Sequence, residues 1–419
     1  MKILIVGGGG REHTIAWSLK KNPEVKKLFA VPGNAGMEKI AKCFPDIKAT
    51  DFDKILLFVK ANKVDLTIVA PDDPLAGGLV DLLNENGFRA FGPVKEAAQI
   101  ESSKAFAKAF MQKYDIPTAK YEVFDDYVEA VKYALSCKQP LVVKADGLAV
   151  GKGVIVCKNT RESKEALDLL MLEKKFGSSG DKVVIEEFLE GQEITVLAFT
   201  DGKTIIPMVS SQDHKRVFDG DEGSNTGGMG AFSPSAVYTQ AVAKEFSDKI
   251  MKKTLEGLNK EGIIFKGVLY FGLMLTADGL KVIEYNARFG DPETQVILPR
   301  LKTDLLDIFN ACIDGTLKNI KIEWEKDACV CVILASGGYP GEYQKGLPIK
   351  ITKPDDGILF FHAGTANDAG RLVTSGGRVI GVTACGKNVK EAREKVYANV
   401  GKIKFDNVHY RTDIGIKKN

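Results

Sequence analysis

The apolar run Ile3-Leu4-Ile5-Val6 breaks directly into Gly7-Gly8-Gly9-Gly10, and a helix-patterned segment follows at once. A strand that ends in glycines and opens a helix sends the chain back across the sheet, so the next strand lies parallel to it. The pattern then recurs. Arg11 to Lys20 carries Ile15, Ala16 and Leu19 on one side. Strands at Lys27 to Val31 and Asp65 to Ala70 end in Pro32-Gly33-Asn34-Ala35-Gly36 and Pro71-Asp72-Asp73-Pro74, and a short strand runs into Phe91-Gly92-Pro93. Strands alternating with helices predict a doubly wound parallel sheet. In such sheets ligands bind beyond the carboxyl ends of the strands, where these glycine and proline segments lie.

The rest of the chain is patterned differently. A long helical stretch, Lys95 to Tyr114, is followed by strands at Leu141 to Lys144, Val154 to Cys157 and Val183 to Glu187, with a polar helix at Arg161 to Glu173. These read as a small α+β unit. Further strands fall within 194–210. A helix over Ala241 to Asn259 precedes strands at Phe265 to Thr276 and Lys281 to Asn286. The tail holds strands at Cys329 to Ala335, Gly357 to His362 and Arg378 to Ala384, then a helix at Val389 to Gly401. The expected fold class is α/β and α+β multidomain: a Rossmann-like doubly wound parallel sheet over 1–101, a central domain over 102–326 with a small lid at about 120–190, and a C-terminal mixed α/β domain over 327–419.

The formal net charge of +3 argues against a large nucleic-acid footprint and leaves small anionic substrates open. No apolar run reaches the length of a membrane span, and the start lacks a signal peptide's apolar core and cleavage site, so a cytoplasmic chain without membrane contact is expected. Cysteines 43, 137, 157, 312, 329, 331 and 385 show no paired spacing, which fits a reducing compartment. Cys329 and Cys331 sit in an apolar strand and read as core. Histidines 13, 214, 362 and 409 have no zinc spacing.

Five segments carry chemistry. The Gly7–His13 turn offers backbone N–H groups and a helix dipole to an anion, though plain turn geometry also accounts for it. A dinucleotide site would want an acidic residue after the second strand; Val31-Pro32 stands there, which favours a mononucleotide-sized phosphate. Lys144-Ala-Asp-Gly147-Leu-Ala-Val-Gly151-Lys152-Gly153 places two lysines around a glycine-rich turn, a phosphate cradle without Walker spacing; a bland hairpin is the alternative. Glu186, Glu187, Glu190 and Glu193 flank an extended segment whose backbone can read an adenine edge while a carboxylate holds a ribose hydroxyl; an edge strand with solvated charges explains them equally. Ser211 to Gly230 is too polar and glycine-rich for a core element. It reads as a substrate loop that orders on binding, or as disorder. Glu284 and Asn286 lie two apart on a strand, so both face one side and offer hard oxygen donors to a metal. Arg288 shares that parity. A structural salt-bridge cluster is the alternative there.

Together these segments resemble the glycinamide ribonucleotide synthetase family of ATP-grasp ligases. The resemblance rests on Gly7–His13, Pro32–Gly36, Lys144–Val154, Ser211–Arg216, Asn225–Gly230, Asn286–Thr294, Ser336–Gly341 and Phe361–Thr365, and so spans the chain. Asp72 departs from the family's glutamate and Ser224 from its proline. The resemblance implies a central ATP-grasp domain and a reaction in purine biosynthesis: ATP, glycine and 5-phosphoribosylamine give ADP, phosphate and glycinamide ribonucleotide through glycyl phosphate. It implies that Lys104, Lys144, Gly151, Lys152, Gly153, Glu186, Glu187, Leu189 and Glu193 hold ATP, and that Glu284 and Asn286 hold Mg²⁺ or Mn²⁺. Arg288, Asp291, Asp213 and Lys215 take catalytic roles. Gly9, Gly10, Asn34, Gly36, Asp72, His214, Arg216, Gly290, Pro292 and Glu293 face the small substrates. The chain is expected to act as a monomer. Another carboxylate–amine ligase would share Lys144, Glu284 and Asn286 but differ at 211–230, and a non-catalytic nucleotide-binding module is the rival from a different class.

Overall fold

The computed structural model describes residues 1–149 and 153–416. The strand Lys2–Gly7 is buried almost throughout and pairs in parallel with Lys27–Pro32 on one side and Leu66–Val69 on the other. With Lys42–Cys43 and Ala90–Phe91 at the edges, the sheet runs in the order Lys42–Cys43, Lys27–Pro32, Lys2–Gly7, Leu66–Val69, Ala90–Phe91. Strand order therefore reverses beside Lys2–Gly7. The crevice this creates at the carboxyl ends holds the turn Gly7–Gly10 and the start of the helix Asp72–Gly77.

The helical stretch 95–114 is two helices, Lys95–Ser102 and Lys104–Lys113, with Ser103 extended between them. Ser103 Oγ caps the second helix by accepting from the Phe106 N–H at 3.1 Å and donates to Asp146 Oδ1 at 3.0 Å. Asp146 also accepts from the N–H of Ala105, and its carbonyl accepts from that of Lys104. The break thus depends on a partner some forty residues further on, which local periodicity does not reveal.

Strands Tyr121–Phe124, Val183–Glu187, Leu141–Ala145 and Val154–Cys157 form a four-stranded antiparallel sheet in that order. Its apolar face packs with the helices Tyr127–Ser136 and Thr160–Leu167 into a small core of its own. The helix expected to reach Glu173 is α-helical only to Leu167 and continues as a wider turn over Asp168–Leu172. A second antiparallel sheet runs Ile205–Pro207, Gln192–Asp201, Lys266–Thr276, Gly279–Asn286. The helix beside it is divided likewise, into Gln240–Glu245, a wide turn over Phe246–Met251, and Lys252–Lys260.

The stretch 211–230, read from sequence as a loop awaiting a ligand, contains two ladders. Its ends, Gln212–Asp213 and Gly230–Ser233, pair with each other and extend the C-terminal sheet, whose order continues Ala328–Ala335, Arg378–Gly386, Ile358–His362. Between them Arg216–Phe218 and Glu222–Asn225 form a hairpin. Its polarity misled because the stabilisation is in backbone pairing with a strand a hundred residues away. Among the described residues no helix is long and apolar enough to cross a membrane. All seven cysteines are free thiols, and Cys329 and Cys331 are fully buried.

The first and last units meet at a histidine seam. His13, on the helix Gly10–Leu19, accepts at Nδ1 from the His362 N–H at 2.8 Å, and His362 Nδ1 lies 3.2 Å from Thr365 Oγ1. Burial, helped by His362, pushes His13 down to about 3, and burial with Lys39 pushes His362 down to about 4. Both are neutral when folded. As pH falls below the ordinary value of 6.5 the unfolded chain takes up protons that the folded one refuses, so stability is complete above that value and is lost towards pH 4. The loss is at most about 1.4 kcal/mol per pH unit per histidine. Urea midpoints at pH 7.5 and 5.0 measure it; His13→Gln should show a smaller drop between the two.

Candidate active site

A cavity of about 1380 Å³ lies between the two antiparallel sheets and reaches the first and last units. Its floor is the strand Gly279–Asn286. Tyr285 on that strand is turned into the core, its Oη 2.8 Å from Thr254 Oγ1, while Glu284 and Asn286 line the cavity on either side of it. Burial alone would raise the Glu284 carboxyl; Lys215, Lys144, Lys104 and Arg288 outweigh it and hold the group below its ordinary range. An ionised carboxylate and a carboxamide oxygen side by side fit the oxygen donor set of a hard divalent cation. Asn286 Oδ1 accepts from Arg288 Nη2 at 3.2 Å.

Three lysines approach from the lid side. Lys104 Nζ donates to the Gly147 carbonyl at 3.1 Å, and burial, then Lys144, lowers it against the pull of Glu284. Lys144 Nζ donates to the Ile283 carbonyl at 3.1 Å and pairs with Glu186 Oε1 at 2.8 Å. The other oxygen of Glu186 pairs at 2.8 Å with Lys108, whose Nζ also donates to Thr118 Oγ1. Glu186, expected to touch ATP, is thus committed to two lysines and is only 3% exposed. Lys108 escaped the sequence reading, although it sits one helical turn from Lys104 on the same face. Burial pushes the Lys108 ammonium down to about 8 in spite of Glu186. Glu187, Leu189 and Glu193 line the cavity mouth, and Gly153 its lid-side wall.

The hairpin segment supplies Asp213, His214, Lys215 and Arg216, all lining the cavity. Lys215 pairs with Glu193 at 2.9 Å. Burial opposes its charge, but Glu193, Asp213 and Glu284 raise it above the ordinary lysine value. Burial, reinforced by Glu293 and Glu193 against Lys215, pushes Asp213 up to about 8. Arg216 donates to the Gly223 carbonyl at 2.7 Å and braces its own hairpin.

The opposite end carries three guanidiniums from distant parts of the chain. Arg288 pairs with buried Glu101 at 2.7 Å. Arg11 donates to Glu12 at 2.6 Å and to the Phe289 carbonyl at 3.1 Å. Arg378 donates to the carbonyls of Gly227 and Asp291 and lies 3.4 Å from Asp291 Oδ1. Asp72 lines the cavity here; burial opposes its charge, and Arg288 and Arg11 hold it below its ordinary value. Asp291, similarly, is lowered against burial by Arg378 and Arg11. Glu293 accepts from Tyr270 Oη at 2.9 Å and is raised by burial. Arg11 lay within the glycine motif without drawing notice; Glu101 and Arg378 carried no sequence signal at all.

Several expected residues do not reach the cavity. The Gly9 N–H is donated to Glu12 Oε2 at 2.6 Å, so the glycine turn is satisfied by its own helix. A side chain on Gly10 would meet Gln295 Nε2 at 2.5 Å. The reading that Asn34 reaches sugar hydroxyls is corrected: its amide donates to the carbonyls of Gly8 and His362 and accepts from the N–H groups of Gly36 and Met37, which fills every position it has. Gly36 faces the His362 ring, where a Cβ would come within 2.3 Å. Gly290 makes room for Glu293, and Pro292 packs on Gly228. Gly151 and Lys152 lie outside the described residues.

The lid sheet and the central sheet, closing on a cavity lined by lysines above and a carboxylate–carboxamide pair below, define the ATP-grasp class. Comparison with known proteins agrees. Residues 1–101, 102–294 and 329–417 match the phosphoribosylglycinamide synthetase N domain, ATP-grasp (A) domain and C domain. The chain belongs to the phosphoribosylglycinamide synthetase family. It is 50% identical over 414 residues to the phosphoribosylamine–glycine ligase of Caldanaerobacter subterraneus, covering 99% of each chain. It is 45% identical to part of the human trifunctional purine biosynthetic protein adenosine-3, covering 99% of this chain and 42% of that one. The crystal structure of phosphoribosylamine–glycine ligase from Thermotoga maritima superposes with a TM-score of 0.83 at 36% identity, covering 99% of this chain and all of that one. The biotin carboxylase domain of Hydrogenobacter thermophilus 2-oxoglutarate carboxylase, solved with MgADP, shares the fold at a TM-score of 0.77 and 15% identity, over 98% of this chain and 91% of that one.

Removing Lys108 leaves Glu186, the partner that holds Lys144, with Lys144 as its one remaining cation and one carboxylate oxygen unpaired. Lys108→Met should raise the KM for ATP roughly tenfold with little change in other substrate constants, because a buried charge partner is lost beneath the nucleotide end alone. Steady-state kinetics with each substrate varied in turn checks it.

Proposed function

We propose that this chain joins glycine to 5-phosphoribosylamine at the expense of ATP, giving glycinamide ribonucleotide, ADP and phosphate. The observation that carries this, within the family to which the chain belongs, is that Glu284 lines one cavity with Lys104, Lys144, Lys215 and Arg288, whose charges hold its carboxyl below the ordinary range. A carboxylate does not acylate an amine, because oxide is not a leaving group. If a glycine carboxylate oxygen attacks the γ-phosphorus and ADP departs, the resulting acyl phosphate has phosphate as its leaving group. The sugar amine then attacks the acyl carbon, phosphate leaves and the amine proton is lost. Both steps need positioning and charge neutralisation rather than a side-chain nucleophile, and no Ser–His–Asp arrangement is needed.

In this reading Lys104 and Lys144 neutralise the phosphates, with Glu187, Leu189 and Glu193 at the adenine and ribose end. The lid, about 120–190, covers ATP; its separate small core supports independent movement. Glu284 and Asn286 would hold Mg²⁺ or Mn²⁺, which supplies charge neutralisation on the phosphate oxygens. Asp213, Lys215 and Arg288 face glycine and the acyl phosphate. Arg11, Asp72, Asp291 and Arg378, at the carboxyl-end crevice of the first sheet, face the phosphoribosyl group. The boundaries 1–101, 102–326 and 327–419 and a monomeric, cytoplasmic enzyme belong to the same reading.

Turnover assayed by ADP release should require both glycine and phosphoribosylamine; ADP release independent of both would sink the assignment. Glu284→Ala should lower kcat on the order of a hundredfold or more while the fold survives. Near-normal turnover with an unchanged divalent-cation requirement would remove Glu284 from the site.

Gly9→Val tests the division of labour between the two ends. A Cβ there would lie 2.7 Å from Glu12 Oε2 and 3.3 Å from Asp291 Oδ2. It would therefore disturb Asp291 and, through Glu12, Arg11, far from the lysines. The KM for phosphoribosylamine should rise much more than that for ATP. The reverse pattern would make the first sheet the nucleotide site.

A further inference from the structure

The last described turn of the chain grips the substrate hairpin. Arg411 is fully buried, and each of its three guanidinium nitrogens donates a hydrogen bond. Nε and Nη2 donate to the two oxygens of Asp413 at 2.7 and 2.6 Å, while Nη1 donates to Asp221 Oδ1 at 2.7 Å and to the Arg216 carbonyl at 3.0 Å. Asp413 in turn accepts from the Gly220 N–H at 2.9 Å. Next to it, Thr412 donates from both its N–H and its hydroxyl to Asp219. The Gly415 N–H donates to His214 Nε2 at 3.3 Å, which leaves the ring proton on Nδ1, 3.9 Å from Asp221. The tail is itself anchored to the C-terminal helix. Arg393 donates to the carbonyls of Thr412 and Ile414, and Tyr397 Oη donates to the Arg411 carbonyl.

These contacts hold the turn Asp219–Asp221 at one end of a hairpin whose other end carries Asp213 and Lys215 in the cavity. Asp413 and Ile416 line the same cavity. A buried arginine with all three guanidinium nitrogens engaged on one hairpin and one neighbouring carboxylate is far more than the tail needs to be tied down, since Arg393 and Tyr397 already do that.

We propose that Arg411, with Asp413, is a positioning element of the ligation: it sets the hairpin 214–221 so that Asp213 and Lys215 meet the carboxylate-bearing substrate. The C-terminal unit therefore takes part in the chemistry through the substrate loop rather than by direct contact. This rests on the reading above that the loop faces glycine.

The test uses the whole chain. Arg411→Lys keeps a cation but loses the planar fork, Arg411→Met loses both, and Asp219→Ala removes the contacts to Thr412 while keeping Arg411 and both carboxylates it pairs with. The KM for glycine should rise roughly tenfold or more in Arg411→Met, less in Arg411→Lys and a few-fold in Asp219→Ala, while the KM for ATP stays within about twofold. Amide exchange over 214–221 without added substrates should quicken in the same order. Should Arg411→Met fail to fold, Asp219→Ala carries the test. An equal rise in both KM values, or unaltered exchange and glycine KM in folded Asp219→Ala, overturns the proposal. Absence of glycine-dependent turnover in the unsubstituted chain is a different failure, that of the ligase reading; unchanged exchange in the variants would still overturn the clasp.

Discussion

The site depends on balancing charge that has been taken out of water. Glu284 is half-buried on the cavity wall, and a carboxylate desolvated there without partners would be pushed towards its protonated form. Four cations hold it below its ordinary range, and they come from four places: Lys104 from the second helix of the 95–114 stretch, Lys144 from the lid sheet, Lys215 from the 211–230 segment and Arg288 from the segment after the central strand. Three of these cations have a carboxylate of their own, Glu186 for Lys144, Glu193 for Lys215 and Glu101 for Arg288, while Lys104 donates to the Gly147 carbonyl. Removing one member of a pair as buried as Lys144–Glu186 typically costs about 3–5 kcal/mol because the other is left uncompensated. The network therefore constrains how the sheets sit around the cavity, and a polyanion entering it meets cations already oriented.

The two ends of the cavity are built on different terms. At the lid end the lysines have few ties beyond Glu186 and backbone carbonyls, so charge remains available to phosphates. At the far end Arg11, Arg288 and Arg378 are matched by Glu12, Glu101, Asp72 and Asp291, and the guanidiniums also brace backbone carbonyls. That end is close to charge balance and is cross-braced by ion pairs and backbone hydrogen bonds. The seam of His13, His362 and Asn34 lies directly behind it and fixes the first unit against the last.

Much of this was legible residue by residue. The strand–turn–helix alternation specified the parallel sheet because parity and glycine placement are local properties. Glu284 and Asn286 were found because a strand's two-residue period places both on one face whatever surrounds it. Lys144 was marked by its glycine-rich neighbours. The failures share one cause. Asn34 looked like a ligand residue because polar side chains in strand-end turns often are, yet its hydrogen bonds are consumed by Gly8, His362, Gly36 and Met37. Glu186 looked like an ATP contact, with a solvated edge strand as the alternative, yet both its oxygens face lysines.

The sequence by itself determined which segments are strands, which turns are glycine-rich, which face of the 279–286 strand offers oxygens, and, through its motifs, the family. Only the tertiary structure decided the partners. It split the 95–114 helix at Ser103 because Asp146 supplies the cap, joined residues 212–213 and 230–233 to a sheet formed a hundred residues later, and brought Glu101, Arg378 and Arg411 to a site that no spacing linked them to. The reason is physical. Periodicity and turn chemistry are short-range and leave a trace in neighbouring residues, whereas a buried ion pair is satisfied by whichever opposite charge the folded chain brings within about 3 Å, and nothing local records where in the sequence that charge lies.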